Sequence, residues 1–376
     1  MSLEFRFANN GEYPRISAFI DEFWAKNHIF VRSKELFDWT FKRPGFWEGD
    51  GYSFALGEDN GDLMGILGGV PYNFNAYGKI RRGVWIMNYA IRPDHRKGTA
   101  ALKLLSTFRN PSFPVVIASG LNPATTAIYK VLRGQVLSSP PRHVLVMPGA
   151  TGRMAELIRT ANPEWEAGRA LAVAEAFQLP SLVEPVVEAG FKFPAQWDEV
   201  DWSILAATTV GAVRDLEYLN WRYCMHPCFE YHIIAIPEGD RTGLLIWRLE
   251  TVRQETENGR KDLDRFGRVV EFIPTSDANG RQLMASLTAQ LKAADAVGAD
   301  FFGYHGNVRR MLSATGMPAT AQHADGPAIP FLFQPIAPSG PLVNAMFSDP
   351  DLPPCDSRDD CDWYWTKSDS DQDRPN

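Results

Sequence analysis

The sequence predicts an α/β protein of mixed sheets, built as two tandem units of one plan. Three observations predict it. The chain has 376 residues, beyond the roughly 250–300 at which a single hydrophobic core stops growing. The order helix, strand, turn, strand, strand, helix, strand, helix is readable twice. A stretch rich in Gly, Pro and Ala separates the two copies. The expected bounds are 1–147 for the first unit, 148–205 for the connector, 206–350 for the second unit and 351–376 for an acidic tail.

In the first copy, Lys34 to Trp39 reads as a helix that leads to Pro44 and a strand-like run, Tyr52 to Leu56. A turn rich in Gly and Asp, Gly57 to Asp62, precedes a second apolar run, Leu63 to Val70. Val84 to Ile91 is a third strand, closed by Pro93. Ala101, Leu104, Leu105 and Phe108 then fall at i, i+3, i+4 and i+7 of a helix. Val115 to Ser119 is the next strand. Gly120, Asn122 and Pro123 open one more helix, Asn as a favoured N-cap and Pro as a residue suited to the first turn.

The second copy repeats this order. Arg214, Asp215 and Leu216 continue through Tyr218 and Trp221 to Pro227, followed by a strand from Tyr231 to Ile236. A turn, Glu238 to Gly243, and a strand, Leu244 to Leu249, come next. Arg268 to Ile273 ends at Pro274, Leu283, Leu287 and Leu291 step by four along a helix, and Asp300 to Tyr304 leads to Gly306 and Asn307. The tail after Pro353 is rich in Asp, Ser and Pro and reads as poorly ordered. Trp363, Tyr364 and Trp365 argue that part of it docks, on the body or on the second subunit of a homodimer.

Composition narrows the function. Hydrophobic residues make up 45% and charged residues 22%, values of a globular protein with no run of the ~18 apolar residues a membrane span needs. The opening MSLEFRFANNGEYPR lacks the basic start and apolar stretch of a secretory signal, so a cytoplasmic location is expected. A net charge of −7 speaks against a nucleic-acid partner, whose phosphates demand a basic face. Four cysteines are too few for a disulfide framework. Cys224, His226 and Cys228 stand close together, but their spacing is not that of a zinc site, and no metal is expected.

The chemistry concentrates in Ile91-Arg92-Pro93-Asp94-His95-Arg96-Lys97-Gly98-Thr99-Ala100, which joins a strand directly to a helix. Arg96, Lys97 and Gly98 at a helix N-terminus present free backbone N–H groups, the positive end of the dipole and two cations, the outline of a pyrophosphate site. Downstream, Asn122 caps the next helix, and Tyr129 lies two turns along roughly the same face. The second copy has neither device: Pro274 to Gly280 carries no cation, and Ala314 stands seven after Asn307.

These residues resemble the GNAT acyltransferases, whose pyrophosphate motif reads approximately P-x-x-R-x-x-G-x-G/A. The present PDHRKGTA has one residue fewer between Arg96 and Gly98. The family's second signature, Asn followed seven residues on by Tyr and then by Gly, is similar to Asn122, Tyr129 and Gly134, the Gly one place late. The resemblance implies two tandem GNAT-like units, each a mixed, mostly antiparallel sheet flanked by helices, with a parallel strand pair that splays apart. It implies acyl-CoA as co-substrate in the first unit alone. Asn88, Tyr89, Ala90 and Ile91 would line the pantetheine arm, and Arg96, Lys97, Gly98, Thr99, Ala100 and Asn122 would hold the rest of coenzyme A. Backbone N–H groups of that strand would stabilise the oxyanion, and Tyr129 would protonate the departing thiolate.

Over nearly its full length the chain also resembles bacterial tandem-GNAT sugar N-acyltransferases of the FdhC type, through FWAKNHIFVRSKELFDW, the WRY-x-x-HP segment and the closing DWYWTKSDSDQDRPN. That resemblance implies acylation of the amino group of a nucleotide-linked amino-deoxy sugar, such as a dTDP-3-amino-3,6-dideoxyhexose, for O-antigen or capsule synthesis. His28, Asp94, His95, His226 and His305 are the available bases, and His28 is favoured for its aromatic and basic surroundings. Trp24, Lys26, Arg32, Trp221 and Arg222 are the expected substrate contacts, cations for a pyrophosphate and indoles for a ring. Trp39, Trp85 and Trp247 offer further stacking faces. Two other readings stay open: a peptidoglycan aminoacyl transferase using aminoacyl-tRNA, and a non-catalytic acyl-CoA-binding relative.

Overall fold

The computed structural model describes residues 3–43, 45–96, 99–121, 125–127, 130, 134–137, 140–181, 206–320, 329–339, 345–348, 362–369 and 373–375. Lys97, Gly98, Asn122 and Tyr129 lie outside the described residues. The first half runs β1 (Leu3–Phe7), α1 (Tyr13–Phe23), α2 (Ile29–Arg32), α3 (Lys34–Phe41), β2 (Phe54–Asp59), β3 (Asp62–Ala76), β4 (Lys79–Ile91), α4 (Ala100–Ser106), β5 (Val115–Ser119), β6 (Gln135–Leu137) and β7 (Arg142–Val146). The helices α5 (Thr151–Ala161) and α6 (Ala167–Ala176) follow. The second half contains β8 (Val210–Ala212), α7 (Leu216–Leu219), β9 (His232–Glu238), β10 (Arg241–Thr256), β11 (Gly259–Ile273), α8 (Asp277–Ala293), β12 (Gly298–Phe302) and α9 (Gly306–Ala314). The short strands β13 (Leu332–Phe333), β14 (Ile336–Ala337), β15 (Ala345–Ser348) and β16 (Trp363–Tyr364) complete it.

Local sequence accounts for the helices near the site. Ile16, Phe19 and Ile20 bury one face of α1, and a proline in its first turn suits the fixed φ of a helix start. The ring Nδ1 of His28 accepts the N–H of Phe30 to cap α2, and Ser33 Oγ accepts that of Leu36 to cap α3. Phe108, two residues past the end of α4, packs so close to the sheet that a Cβ on Gly69 would stand 2.3 Å from its ring. Only glycine fits there.

The main strands form two mixed sheets, as the sequence predicts. The first has the order β1-β2-β3-β4-β5-β15-β6, with β8 on the far end of β3 and β16 beside β8. The second has the order β7-β12-β11-β10-β9. Two strands cross between the halves. Arg142–Val146, within the bounds drawn for the first unit, pairs antiparallel with β12 of the second sheet. Ala345–Ser348 sits between β5 and β6 of the first. One hydrophobic cluster accordingly runs through both halves, while a smaller one fills the space under α4.

Each sheet has one parallel pair that diverges. In the first, β4 pairs with β5 only from Gly83↔Val115 to Ile86↔Ala118. In the second, β11 pairs with β12 only from Gly267↔Ala299 to Val269↔Phe301. Each diverging strand carries a bulge just past the pairing, with Asn88 and Tyr89 opposite the single Leu67 in one case and Val270 as the extra residue in the other.

The second divergence is filled by part of the chain's own tail, and the expectation of a poorly ordered acidic end is corrected for residues 362–369 and 373–375. Trp363, Tyr364 and Trp365 are 2–3% exposed and dock on the body of the same chain. The N–H of Gly303 points to β7, donating to Pro141 O, so that of Tyr304 points the other way and donates to Trp365 O at 2.9 Å. Lys367 N–H donates to Phe302 O, and Tyr364 Oη donates to the buried carboxylate of Glu271 at 2.6 Å. The tail's acids are neutralised inside: Asp369 pairs with Arg214, and Asp373 with Arg248, each at 2.8 Å. An acidic segment is stable in the interior because these cations and hydrogen bonds replace the water it loses.

Candidate active site

In the first sheet no described strand fills the divergence. From Met87 to Ile91, β4 has ladder partners on the β3 side alone among the described residues. Asn88 stands at the bulge with φ 52° and 3% exposure, and neither atom of its side-chain amide has a hydrogen-bond partner among the described residues. A left-handed backbone and a buried unpaired amide are both unfavourable, the amide by about 1–3 kcal/mol per lost bond. Tyr89 is turned to the α4 side, where its hydroxyl donates to Ala101 O at 2.6 Å. Ala90 and Ile91 are buried and continue the strand.

The loop from β4 to α4 begins at this edge. Arg96 folds back and donates from Nε to Ile91 O at 3.1 Å; Thr99 is exposed and Ala100 buried at the first turn of α4. Asp94 is held below the usual carboxylate range by Arg92 and then by His95. His95 is raised, first by Asp94 and also by Asp59, which favours its protonated form. The two candidate bases of this loop therefore neutralise each other.

On the sheet face opposite α4, a narrow cleft of about 20 Å³, room for about one water molecule, lies between the halves. The first half contributes Phe30, Leu36, Trp39 and Thr40 from α2 and α3, together with Val70, Trp85 and Met87 from β3 and β4. Met87 immediately precedes the bulge. The second half contributes Trp221, Arg222 and His226, and the tail contributes Asp373 and Arg374. Trp39 and Trp221 stack at 4.7 Å with 13° between their planes, and each indole N–H donates to the other's backbone carbonyl, at 3.2 and 3.3 Å. This double link fixes α3 to the second half.

Polar groups are few in the cleft, and most are committed. Arg222 is 2% exposed and donates to Ser368 O and Asp373 O. Burial pushes the Asp373 carboxyl up, but Arg248 and Arg222 outweigh it and hold it well below its ordinary value. Its oxygens accept from Arg248 and from Tyr231 Oη at 2.7 Å. His226 Nδ1 accepts the N–H groups of Cys228 and Phe229, at 3.1 and 3.0 Å. Burial pushes the His226 pKa down to about 3, with Arg222 acting in the same direction.

Of the expected substrate contacts, Trp221 and Arg222 line this cleft, the latter with its guanidinium engaged by the tail. Trp24, Lys26 and Arg32 are exposed and are not among the lining residues; Lys26 pairs with Asp21. His28 caps α2 next to cleft-lining Phe30 and does not itself line the cleft. His305 is buried ahead of α9 with its pKa lowered by burial. Sequence reasoning did not single out Thr40, Val70, Met87, Asp373 or Arg374. The alternation of Trp85 and Met87 along β4 was the one available signal for the cleft side of that strand.

No protein-family model matches the chain, and no curated protein matches it in sequence. Solved structures do match. A GCN5-related N-acetyltransferase from Anabaena variabilis shares 13% identity at a TM-score of 0.53, over 92% of this chain and 72% of its own. A probable N-acyltransferase from Enterococcus faecalis shares 9% at 0.54, over 92% and 72%. The N-myristoyltransferase of Saccharomyces cerevisiae, solved with bound myristoyl-CoA, shares 12% at 0.55, over 94% and 80%. The chain has the fold of these proteins.

Proposed function

We propose that this protein is an N-acyltransferase that transfers an acyl group from coenzyme A to an amine, with the thioester at the β4 bulge and the amine in the adjoining cleft. The observation that carries the reading is the edge of β4 from Met87 to Ile91, unpaired among the described residues, which begins beside the cleft and ends at the Arg96 loop. Backbone N–H groups at that edge suit the thioester carbonyl and would hold the oxyanion formed when the amine attacks. The carbon–sulfur bond then breaks, and Tyr129 would give its proton to the departing thiolate. Removal of the amine proton falls to water, since His226, its pKa pushed down to about 3 by burial and its only lone pair, on Nδ1, engaged by backbone N–H groups, is too weak a base. The fold shared with enzymes solved as acyltransferases, one with myristoyl-CoA bound, supports this chemistry.

The finer reading, a nucleotide-linked amino-deoxy sugar as acceptor in surface-polysaccharide synthesis, rests on the full-length sequence resemblance. The cleft itself takes no more than the edge of such an acceptor, because Trp39 and Trp221 cover each other and Arg43 lies over Trp221 at 4.2 Å. Arg222 is committed to the tail, so the nucleotide's diphosphate stays outside the cleft.

Calorimetric titration with coenzyme A tests the first part, using the wild type, Arg96→Ala and Tyr129→Phe. Binding that weakens in Arg96→Ala and is unchanged in Tyr129→Phe, with acetyl transfer slowed at least tenfold in the latter, is the expected result. Absence of coenzyme A binding to the wild type would overturn the reading.

A further inference from the structure

Among the described residues that line the cleft, His226 has a ring nitrogen whose role neither the fold nor the tail accounts for. Nδ1 of His226 accepts two backbone N–H groups, from Cys228 and Phe229. A nitrogen that accepts carries no proton, so the neutral ring must hold its proton on Nε2. No partner for Nε2 stands among the described residues, and the residue lines the cleft. The ring is also held still. Phe229 stacks on it at 4.9 Å and Trp39 meets it edge-on at 4.6 Å, with Tyr231 closing a third side.

We infer that His226 is a fixed hydrogen-bond donor, through Nε2–H, to a single uncharged oxygen of the acceptor substrate that reaches into the cleft. The inference rests on the acyltransferase reading and names which part of the acceptor enters the cleft. An ammonium group is unsuited to this spot, because the N–H dipole points its positive end at it. The charged groups that face the ring, Arg222 and Arg248 on one account and Asp373 on the other, oppose its protonation in sum. A hydroxyl, ring or carbonyl oxygen satisfies the donor, and one such atom is what the narrow cleft admits. The reacting amine therefore approaches the bulge from the Met87 side, with its neighbouring oxygen anchored at His226. This makes His226 a residue that selects and orients the acceptor without taking its proton.

Two measurements test it. The first is the long-range nitrogen–proton NMR spectrum of the ¹⁵N-labelled protein, with His226→Asn to assign the ring. The expected pattern is one neutral tautomer protonated at Nε2 and unchanged from pH 8 to pH 5. A ring that titrates in that range, or one protonated at Nδ1, overturns the inference whatever the substrate. The second is acetyl transfer from acetyl-CoA to dTDP-3-amino-3,6-dideoxyhexoses. The Asn side-chain oxygen can keep the two backbone N–H bonds, so His226→Asn should fold with an unchanged Tm and raise KM for the sugar about tenfold at nearly constant kcat, the scale of one lost neutral hydrogen bond. A hundredfold fall in kcat with KM unchanged would make His226 a base and overturn the inference. Wild-type protein that binds coenzyme A but acylates none of these sugars would sink the sugar reading alone, and the nitrogen spectrum then decides the role of His226.

Discussion

Asn88 carries a backbone conformation that Gly, Asn and Asp adopt most readily, and it does so with a buried amide that nothing among the described residues satisfies. Asn88→Gly suits the positive φ and removes both unpaired atoms, so urea denaturation should show it no less stable than the wild type. Asn88→Ala removes the same two atoms but keeps a Cβ at that φ, so it should be about 1–2 kcal/mol less stable than Asn88→Gly. If the bulge serves the thioester, Asn88→Gly should still slow acetyl transfer at least tenfold despite its stability. An unchanged rate would remove the amide from the site. The sequence displayed the strand that ends at Ile91 and the loop through Arg96, because apolar runs and prolines are local signals. It did not display the bulge, since the left-handed turn at Asn88 arises from pairing with Leu67 on a neighbouring strand. His226 was visible as one histidine among several and could not be ranked, because its neutral state depends on Arg222, Arg248 and burial.

At the scale of elements, the two diverging strand pairs share one geometry and differ in what fills them. The pair β11 and β12 encloses the tail, where Arg214, Glu271 and Asp369 are all 0–1% exposed. Removing one member of such a buried set strands the others, so Arg214→Met should cost about 3–5 kcal/mol in urea denaturation. Tyr364→Phe leaves Glu271 Oε2 short of one donor and should cost about 1–3 kcal/mol. A value near zero for both would mean that the tail contributes little to the fold. The aromatic trio at 363–365 was legible as a docking segment, and its destination was not. Acidic residues read as solvated until Arg214 and Arg248 are seen opposite them. The exchange of Arg142–Val146 into the second sheet was likewise hidden, because an apolar strand reads the same in either sheet and its partner begins at Gly298.

For the molecule as a whole, several buried groups resist protonation, while Glu271, raised by burial, and His95, raised by Asp94, act the other way. His143 and His226 are lowered to about 4 and about 3, and His305 is lowered as well, in each case chiefly by burial. Between their folded values and about 6.5 the unfolded chain binds more protons, so stability falls as pH falls through that window, by up to about 1.4 kcal/mol per pH unit for each group. Lys367, lowered to about 7 by burial and by Arg268, acts in the same direction between about 7 and 10.5, so stability should still be rising above neutrality. Thermal unfolding should therefore give a higher Tm at pH 8.5 than at pH 6.5, and a lower one again at pH 5.5; a maximum near pH 6 would contradict this. The exchanged strand β15 has a different consequence, for synthesis. Its hydrogen bonds complete the edge of β5, yet Ala345 follows Ser119 by well over two hundred residues. At about 5–20 residues per second, a ribosome would hold the nascent first sheet with that edge bare for on the order of 10–45 s. Throughout that interval the growing chain offers an unpaired strand to any other chain nearby, which makes it a natural client for chaperones that shield strand edges.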